Sequence, residues 1–170
     1  MDRHASILYA CFVLSRKTKY GLKALLLLAE DSGRGPVLVS DLASRHAIPK
    51  KFLEAILLDL KRHGLVQSRK GKGGGYFLRR PPAEISFGDA VRALEGPLAL
   101  VPCVSRTAYE PCSDCIDERT CGVRLAMREV REATARILDH TTLADVNRKV
   151  QRRRATRPRG SRSRATPLSD

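Results

Sequence analysis

Four cysteines, Cys103, Cys112, Cys115 and Cys121, stand within 19 residues in the spacing C-x8-C-x2-C-x5-C. Thiolates are soft ligands that favour iron–sulfur clusters, zinc or Cu(I). The Cys112–Cys115 pair can chelate a metal from a single turn, and Cys103 and Cys121 can complete the site when the loop folds back. Zinc and iron–sulfur clusters both accept four cysteines, so the ligand set alone leaves the metal open. Structural or unliganded thiols are the competing reading. The fifth cysteine, Cys11, lies in an apolar stretch and reads as a small buried hydrophobe. His4, His46, His63 and His140 show no ligand spacing and are read as non-ligands. No second set of polar catalytic groups accompanies the cysteines, so no enzyme active site is expected.

The charge pattern points to a second kind of chemistry. The 170-residue chain carries a formal charge of +14, unevenly spread. Residues 15–82 hold a net +10, residues 83–150 a net −2 and residues 151–170 a net +6. A field of that sign attracts polyanions. Lys50, Lys51, Lys61, Arg62, Lys70 and Lys72 have the charge and reach for phosphates. Glu54 can accept a hydrogen bond from cytosine N4 in a major groove. Gly73, Gly74 and Gly75 allow a backbone to approach DNA without a Cβ in the way, with a flexible hairpin tip as the plainer reading. A P-loop is excluded, because no G-x-x-x-x-G-K-[ST] pattern is present and the glycines precede a strand. No apolar run approaches the roughly 18 residues of a membrane helix. The run Ile7–Leu14 lacks a cleavage site and is followed by Arg16, Lys17 and Lys19, so it reads as an N-terminal extension rather than a signal. The chain therefore reads as cytoplasmic, with reduced thiols rather than structural disulfides.

These groups need positioning elements. Residues 15–30 read as a helix capped by Ser15. Gly33 and Gly35-Pro36 break it, Val37–Val39 reads as a brief extended piece, and Ser40 caps a short helix over 41–46. Pro49 is suited to open a third helix, with Phe52, Leu53, Ile56, Leu57 and Leu60 as its core stripe and Gly64 as its stop. Two short strands, Leu65–Arg69 and Tyr76–Leu78, flank a basic glycine-rich loop. Ser86-x-x-Asp89 resembles a capping box for a helix ending near Gly96-Pro97. Residues 99–121 read as a loop. From about Cys121 to Asp139, Val123, Met127, Val130, Thr134 and Ile137 recur near a 3.5-residue period, which suits a helix packing lengthwise on another helix. Thr142-x-x-Asp145 caps a short final turn, and the Arg-rich residues 151–170 read as disordered. The fold class is mainly α with a small β-hairpin wing: a winged helix-turn-helix domain plus a long dimerisation helix. The expected division is an extension over 1–13, the DNA-binding domain over 14–82, a helix with cysteine loop and dimerisation helix over 83–150, and the tail over 151–170.

The segments LSRKTKYGLKALLLLA, VSDLASRHAIPKKFLEAILLDLKRHGLVQSRKGKGGGYFL and ISFGDAVRALEG resemble the Rrf family of bacterial winged-helix transcription regulators. The resemblance runs from about Leu14 to Val146 and is most specific at Arg69–Tyr76 and in the cysteine loop. It implies a homodimer joined by the long helix, with the third helix in the major groove of double-stranded DNA and the wing on the backbone or minor groove. It maps Lys51, Glu54 and Lys70 onto DNA-contacting positions. With the charge reading, the candidate DNA-binding set is Lys50, Lys51, Glu54, Lys70, Lys72, Gly73, Gly74, Gly75 and Tyr76. It also tips the metal reading toward an iron–sulfur cluster, 2Fe–2S ahead of 4Fe–4S, with zinc as the alternative. Two departures matter. Relatives that hold a cluster use a fourth ligand such as a His shortly after the last cysteine, where Arg124 stands here. Others use a carboxylate from the partner's first helix, where Lys19 stands here. Cys103 is accordingly the candidate fourth ligand.

The expected function is DNA-binding transcriptional regulation, repression first, modulated by a cluster that senses iron–sulfur status, redox or nitric oxide. Loss or oxidation of the cluster would move the loop and the dimer helix, and half-site spacing on DNA is fixed by geometry. The rivals are a zinc-stabilised or thiol-based regulator without a cluster and, further off, an iron–sulfur electron carrier or enzyme.

Overall fold

The computed structural model of the protein describes residues 14–156. The extension over 1–13, with Cys11, lies outside the described residues. Six helices and one hairpin follow in chain order: α1 Arg16–Glu30, α2 Val39–His46, α3 Lys50–Arg62, β1 Val66–Arg69, β2 Gly75–Leu78, α4 Phe87–Glu95, α5 Gly122–Asp139 and α6 Leu143–Ala155. Ser15 caps α1, its side chain accepting from the Thr18 amide at 3.1 Å. The leucine-rich face of α1 then buries Leu22, Leu25 and Leu28. They pack with Leu42 of α2, Leu53, Ile56, Leu57 and Leu60 of α3, and Ala90, Val91 and Leu94 of α4. Each fully buried leucine contributes roughly 1.5–3 kcal/mol of transfer free energy, so this cluster fixes the angle at which α3 is presented.

Several boundaries differ from the sequence reading. Leu38, not Ser40, is the N-cap of α2 and makes no side-chain cap bond, because Val39 already lies in the helix. Val37 instead pairs with Tyr76, exchanging backbone bonds of 2.8 Å in each direction. Pro49 is the N-cap of α3 rather than its first helical residue. The expected short final turn is a 13-residue helix, α6, with a complete Thr142–Asp145 capping box. Residues 151–155, expected to be disordered, are helical. The reason is packing: Leu143 is fully buried in the same core as α1 and α3, and Asn147 Nδ2 donates to the Leu26 carbonyl at 3.1 Å. The rest of the predicted disordered tail, 157–170, lies outside the described residues.

A joint ties the end of α5 back to this core. Ser86 and Thr142, each the N-cap of a boxed helix, pair across an antiparallel bridge. Phe87 N–H donates to Thr141 O at 2.8 Å and Leu143 N–H to Ile85 O at 3.0 Å. Beside the bridge, Arg92 of α4 clasps Asp139 of α5 with bonds of 2.6 and 2.9 Å. Gly88 makes room for the clasp, since a Cβ there would meet Asp139 Oδ1 at 1.9 Å and Arg92 Nη1 at 2.8 Å. We expect Gly88→Ala to break the clasp and destabilise the fold by about 1–3 kcal/mol, the usual range for overpacking. The hydrogen bond from Arg92 holds the Asp139 carboxyl below its ordinary value of 3.8. A depressed carboxylate stabilises above its unfolded-state pKa and loses that contribution as pH falls through the folded one. The variant's lower thermal midpoint should therefore be plainest at neutral pH and shrink in acid. An unchanged midpoint at neutral pH would count against the clasp.

Candidate nucleic-acid interface and cysteine loop

The reading face follows from how α2 and α3 are joined. Ala47 takes a left-handed conformation, φ 50°, the one non-glycine residue with positive φ among the described residues. It turns the chain sharply so that Ile48 is buried while Pro49, Lys50 and Lys51 emerge. Phe52 packs edge-on to Tyr20, ring centroids 5.9 Å apart. The inward stripe of Leu53, Ile56, Leu57 and Leu60 leaves Lys50, Lys51 and Glu54 together on the exposed side. None of these three has an ion-pair partner among the described residues. Further along, Asp59 is held by Lys17 at 2.8 Å and Arg62 at 3.2 Å, and Lys61 donates to Ser68 Oγ at 2.8 Å. The basic residues at the C-terminal end of α3 thus brace the fold, while those at its N-terminal end are free for a partner.

The wing pairs Arg69 with Gly75 and Ser68 with Tyr76. Lys70 and Lys72 project from its tip, exposed, beside Gly71 and Gly73 with φ of 89° and 76°. The structure divides the glycine run in two. Gly73 has open space around it, as a tip near a ligand would. Gly74 and Gly75 answer a demand of the fold itself: a Cβ on Gly74 would meet Arg69 O at 2.4 Å, and one on Gly75 would meet Val37 O at 2.3 Å. Tyr76 is half-buried against the core, with both backbone groups taken by Val37. Sequence reasoning treated Gly73–Tyr76 as one run because it had no sign that Val37 adds a short third edge to the hairpin.

The cysteine loop lies at the other end of α5. Cys103 is buried in a 3-10 turn over Pro102–Val104. Cys112 is exposed, and Cys115 and Cys121 are half-buried. Cys121 is the N-cap of α5. The thiols lie close enough to influence one another. The Cys112 thiol is raised in pKa by hydrogen bonding to Cys103, then by burial and the neighbouring sulfurs. The Cys115 thiol is raised by burial and then by Cys121, with a hydrogen bond between the two. Cysteine ligands give up their protons when a metal binds, and the raised thiols of Cys112 and Cys115 would do so only for a cation that neutralises them. The donor set therefore fits a thiophilic centre. Among the described residues, no three His, Cys, Asp or Glu side chains converge on one point, so the loop presents neighbouring thiols rather than a closed cage. His46, His63 and His140 lie apart from the cysteines: His63 Nδ1 contacts Asp59 O at 2.9 Å, and His140 Nδ1 contacts Arg136 O at 2.7 Å.

A polar staple that sequence reasoning missed ties the loop to α5. Arg124 Nε donates to the Cys103 carbonyl at 3.3 Å, and its guanidinium pairs with Glu118 at 3.4 Å. Tyr109 donates its hydroxyl to the other oxygen of Glu118. Arg124 thus stands where a fourth ligand was sought and instead holds the backbone of the candidate fourth ligand. Arg124, Arg131 and Leu138, seven residues apart, form the less exposed stripe of α5. Arg131 is buried, pairs with Glu132 at 2.9 Å and leaves Nε without a partner. The apolar stripe faces elsewhere: Val123, Val130 and Ile137 are 64%, 37% and 65% exposed. No helix among the described residues is long and apolar enough to cross a membrane.

Comparison with known proteins agrees with this architecture. The family model described as Rrf2, iron-dependent transcriptional regulator, matches residues 14–149. The chain is 42% identical over 137 residues to an rrf2-like HTH-type transcriptional regulator of Rhodobacter capsulatus, covering 79% of this chain and 91% of that one. Among solved structures it is similar to CymR of B. subtilis, described as a global cysteine regulator, with a TM-score of 0.67 and 32% identity over 81% of this chain and 97% of that one. It is similar also to IscR of T. potens, with a TM-score of 0.68 and 30% identity over 87% and 93%.

Proposed function

Since the chain belongs to the Rrf2 family of transcriptional regulators, we propose that it binds promoter DNA as a homodimer, acting first as a repressor, under control of an iron–sulfur cluster. Cys103, Cys112, Cys115 and Cys121 would hold the cluster, which when bound would supply sensitivity to oxygen, nitric oxide or iron supply. The observation that carries this reading is the attachment of the loop to α5. Cys121 caps the helix, Arg124 grips the Cys103 carbonyl, and the far end of α5 is tied by Arg92–Asp139 to the core that presents α3. A change at the thiols therefore bears on one end of a helix whose other end bears on the reading head. Such a change shifts DNA binding only by its difference in free energy between the two arrangements. Lys50, Lys51, Lys70 and Lys72 supply phosphate contacts and Glu54 a base contact, which separates affinity from sequence preference. The chain is read as a regulator with no enzymatic activity, in the cytoplasm, with no membrane partner.

Selection from a random duplex library with protein kept free of air tests this. Enriched sequences should contain two related half-sites. Glu54→Ala should relax the preference at one position per half-site by about 1–3 kcal/mol, while overall phosphate-driven affinity persists. Failure to enrich any sequence would sink the reading. A thiol-based regulator without a cluster is the second reading, favoured by the influence of Cys103 on the Cys112 thiol and of Cys121 on the Cys115 thiol. Air would then act on DNA binding without any iron in the protein.

A further inference from the structure

The helix α6 ends where it has no need to be basic for packing. Val146 and Val150 are half-buried, and Arg154, four residues on from Val150, reaches Glu30 at the end of α1 at 3.6 Å. Lys149, Arg152 and Arg153 are exposed and have no ion-pair partner among the described residues. Next to this end lie Lys23 of α1 and Arg45 and His46 of α2. Arg45 pairs with Asp31, which Arg34 also approaches at 3.7 Å. Burial holds the His46 pKa down, and the fields of Lys23, Arg154 and Arg45 add to it against that of Glu30. Arg154 on Glu30, and Arg45 and Arg34 on Asp31, thus bring three cations onto two carboxylates, with Lys23 on α1 and the exposed Arg152 and Arg153 on α6 adding to the same basic region. Favourable contact with the C-terminal helix dipole explains one or two cations at such an end, not a cluster drawn from three helices.

Its place is what gives the patch a partner. His46 is four residues before Lys50, and four residues span at most about 14 Å. The edge of the patch at His46 therefore lies within about 14 Å of the first residue of α3, near enough for one duplex, with a major groove about 12 Å wide, to reach both. We propose that the C-terminal end of α6, with Lys23 and Arg45 beside it, is a second DNA-contacting surface that binds backbone phosphates flanking the segment read by α3. This rests on the DNA-binding reading above and adds to it a surface outside the helix-turn-helix and wing.

The test measures binding of the full chain to mixed-sequence linear duplex DNA over a range of salt concentrations. Each lost phosphate contact lowers the slope of log K against log salt by about 0.9. Arg152→Gln with Arg153→Gln should lower it by about 1–2. A control that removes the same charge from the cysteine loop, Arg106→Gln with Arg119→Gln, should leave the slope unchanged. An unaltered slope in the first variant overturns the proposal, and so does an equal drop in both, which would reflect net charge alone. Loss of binding to phosphatidylserine vesicles with the DNA slope intact would also overturn it, assigning the patch to a lipid surface. Lys50→Gln with Lys51→Gln separates the two levels. If that pair weakens DNA binding while the Arg152 and Arg153 changes do nothing, only the second surface fails. If neither pair matters, the DNA-binding reading itself fails.

Discussion

Cys112→Ala with Cys115→Ala is expected to lower the iron and acid-labile sulfide of protein purified without air by at least tenfold, and to remove its visible absorption. Losing an outer-shell partner alone typically costs about 10–100-fold in metal affinity, and here two of four candidate ligands go. The fold should survive, because Cys112 is exposed, Cys115 is half-buried, and neither belongs to the core cluster. Surface substitutions of this kind usually fall within about 0.5 kcal/mol. Cys103 is a poorer choice for the first experiment, since it is buried under α5 and its loss mixes packing with ligation. Iron retained at the parent level would refute ligation by this pair. A colourless parent with about one zinc per chain, lost from the variant, would make the loop a structural clip. The signal would then have to be sought elsewhere.

Val130→Asp with Ile137→Asp should convert the protein to monomers and weaken binding to a two-half-site duplex by roughly 10²–10⁴-fold, the advantage that linking two binding modules confers. In the single chain these side chains are 37% and 65% exposed, so the change costs its fold little. In a dimer each would be buried against its counterpart, and a carboxylate there would lack a partner. Light scattering reports the mass, and fluorescence anisotropy reports the affinity. A dimeric variant would place the interface on another face. A monomer with unaltered affinity would mean that one chain reads DNA alone, and the lengthwise-packing helix would lose its proposed role.

The features legible in the sequence are those fixed by local rules. Ser15, Ser86 and Thr142 announce their helices through short-range caps, and the 3.6-residue leucine stripe of α3 fixes which side Lys51 and Glu54 occupy. What stayed hidden depends on contacts distant in the chain. Nothing near Thr142 says that Leu143 fills the core under α1, so α6 read as a turn. Nothing near Gly75 says that Val37 lies against it, so its lack of a side chain read as access for a ligand. At the cysteine loop the four candidate donors were plain, but the staple of Tyr109, Glu118 and Arg124 joins three positions with no periodic relation. Arg124 registered only as a missing ligand.

The burial of Leu143 and the bond from Asn147 to Leu26 bear on the order in which this protein can be made. The two bonded residues are 121 positions apart in the chain. A core that needs them cannot close while α6 is still being synthesised, although α1, α2 and α3 are complete long before. Contacts of such separation slow folding because loop closure must precede any gain from them. The emerging chain therefore carries a partly covered leucine surface, and the cysteine loop is translated in full before the reading head has its final shape. Under the proposed cluster-bearing reading, metal loading and core closure would be competing events on a newly made chain.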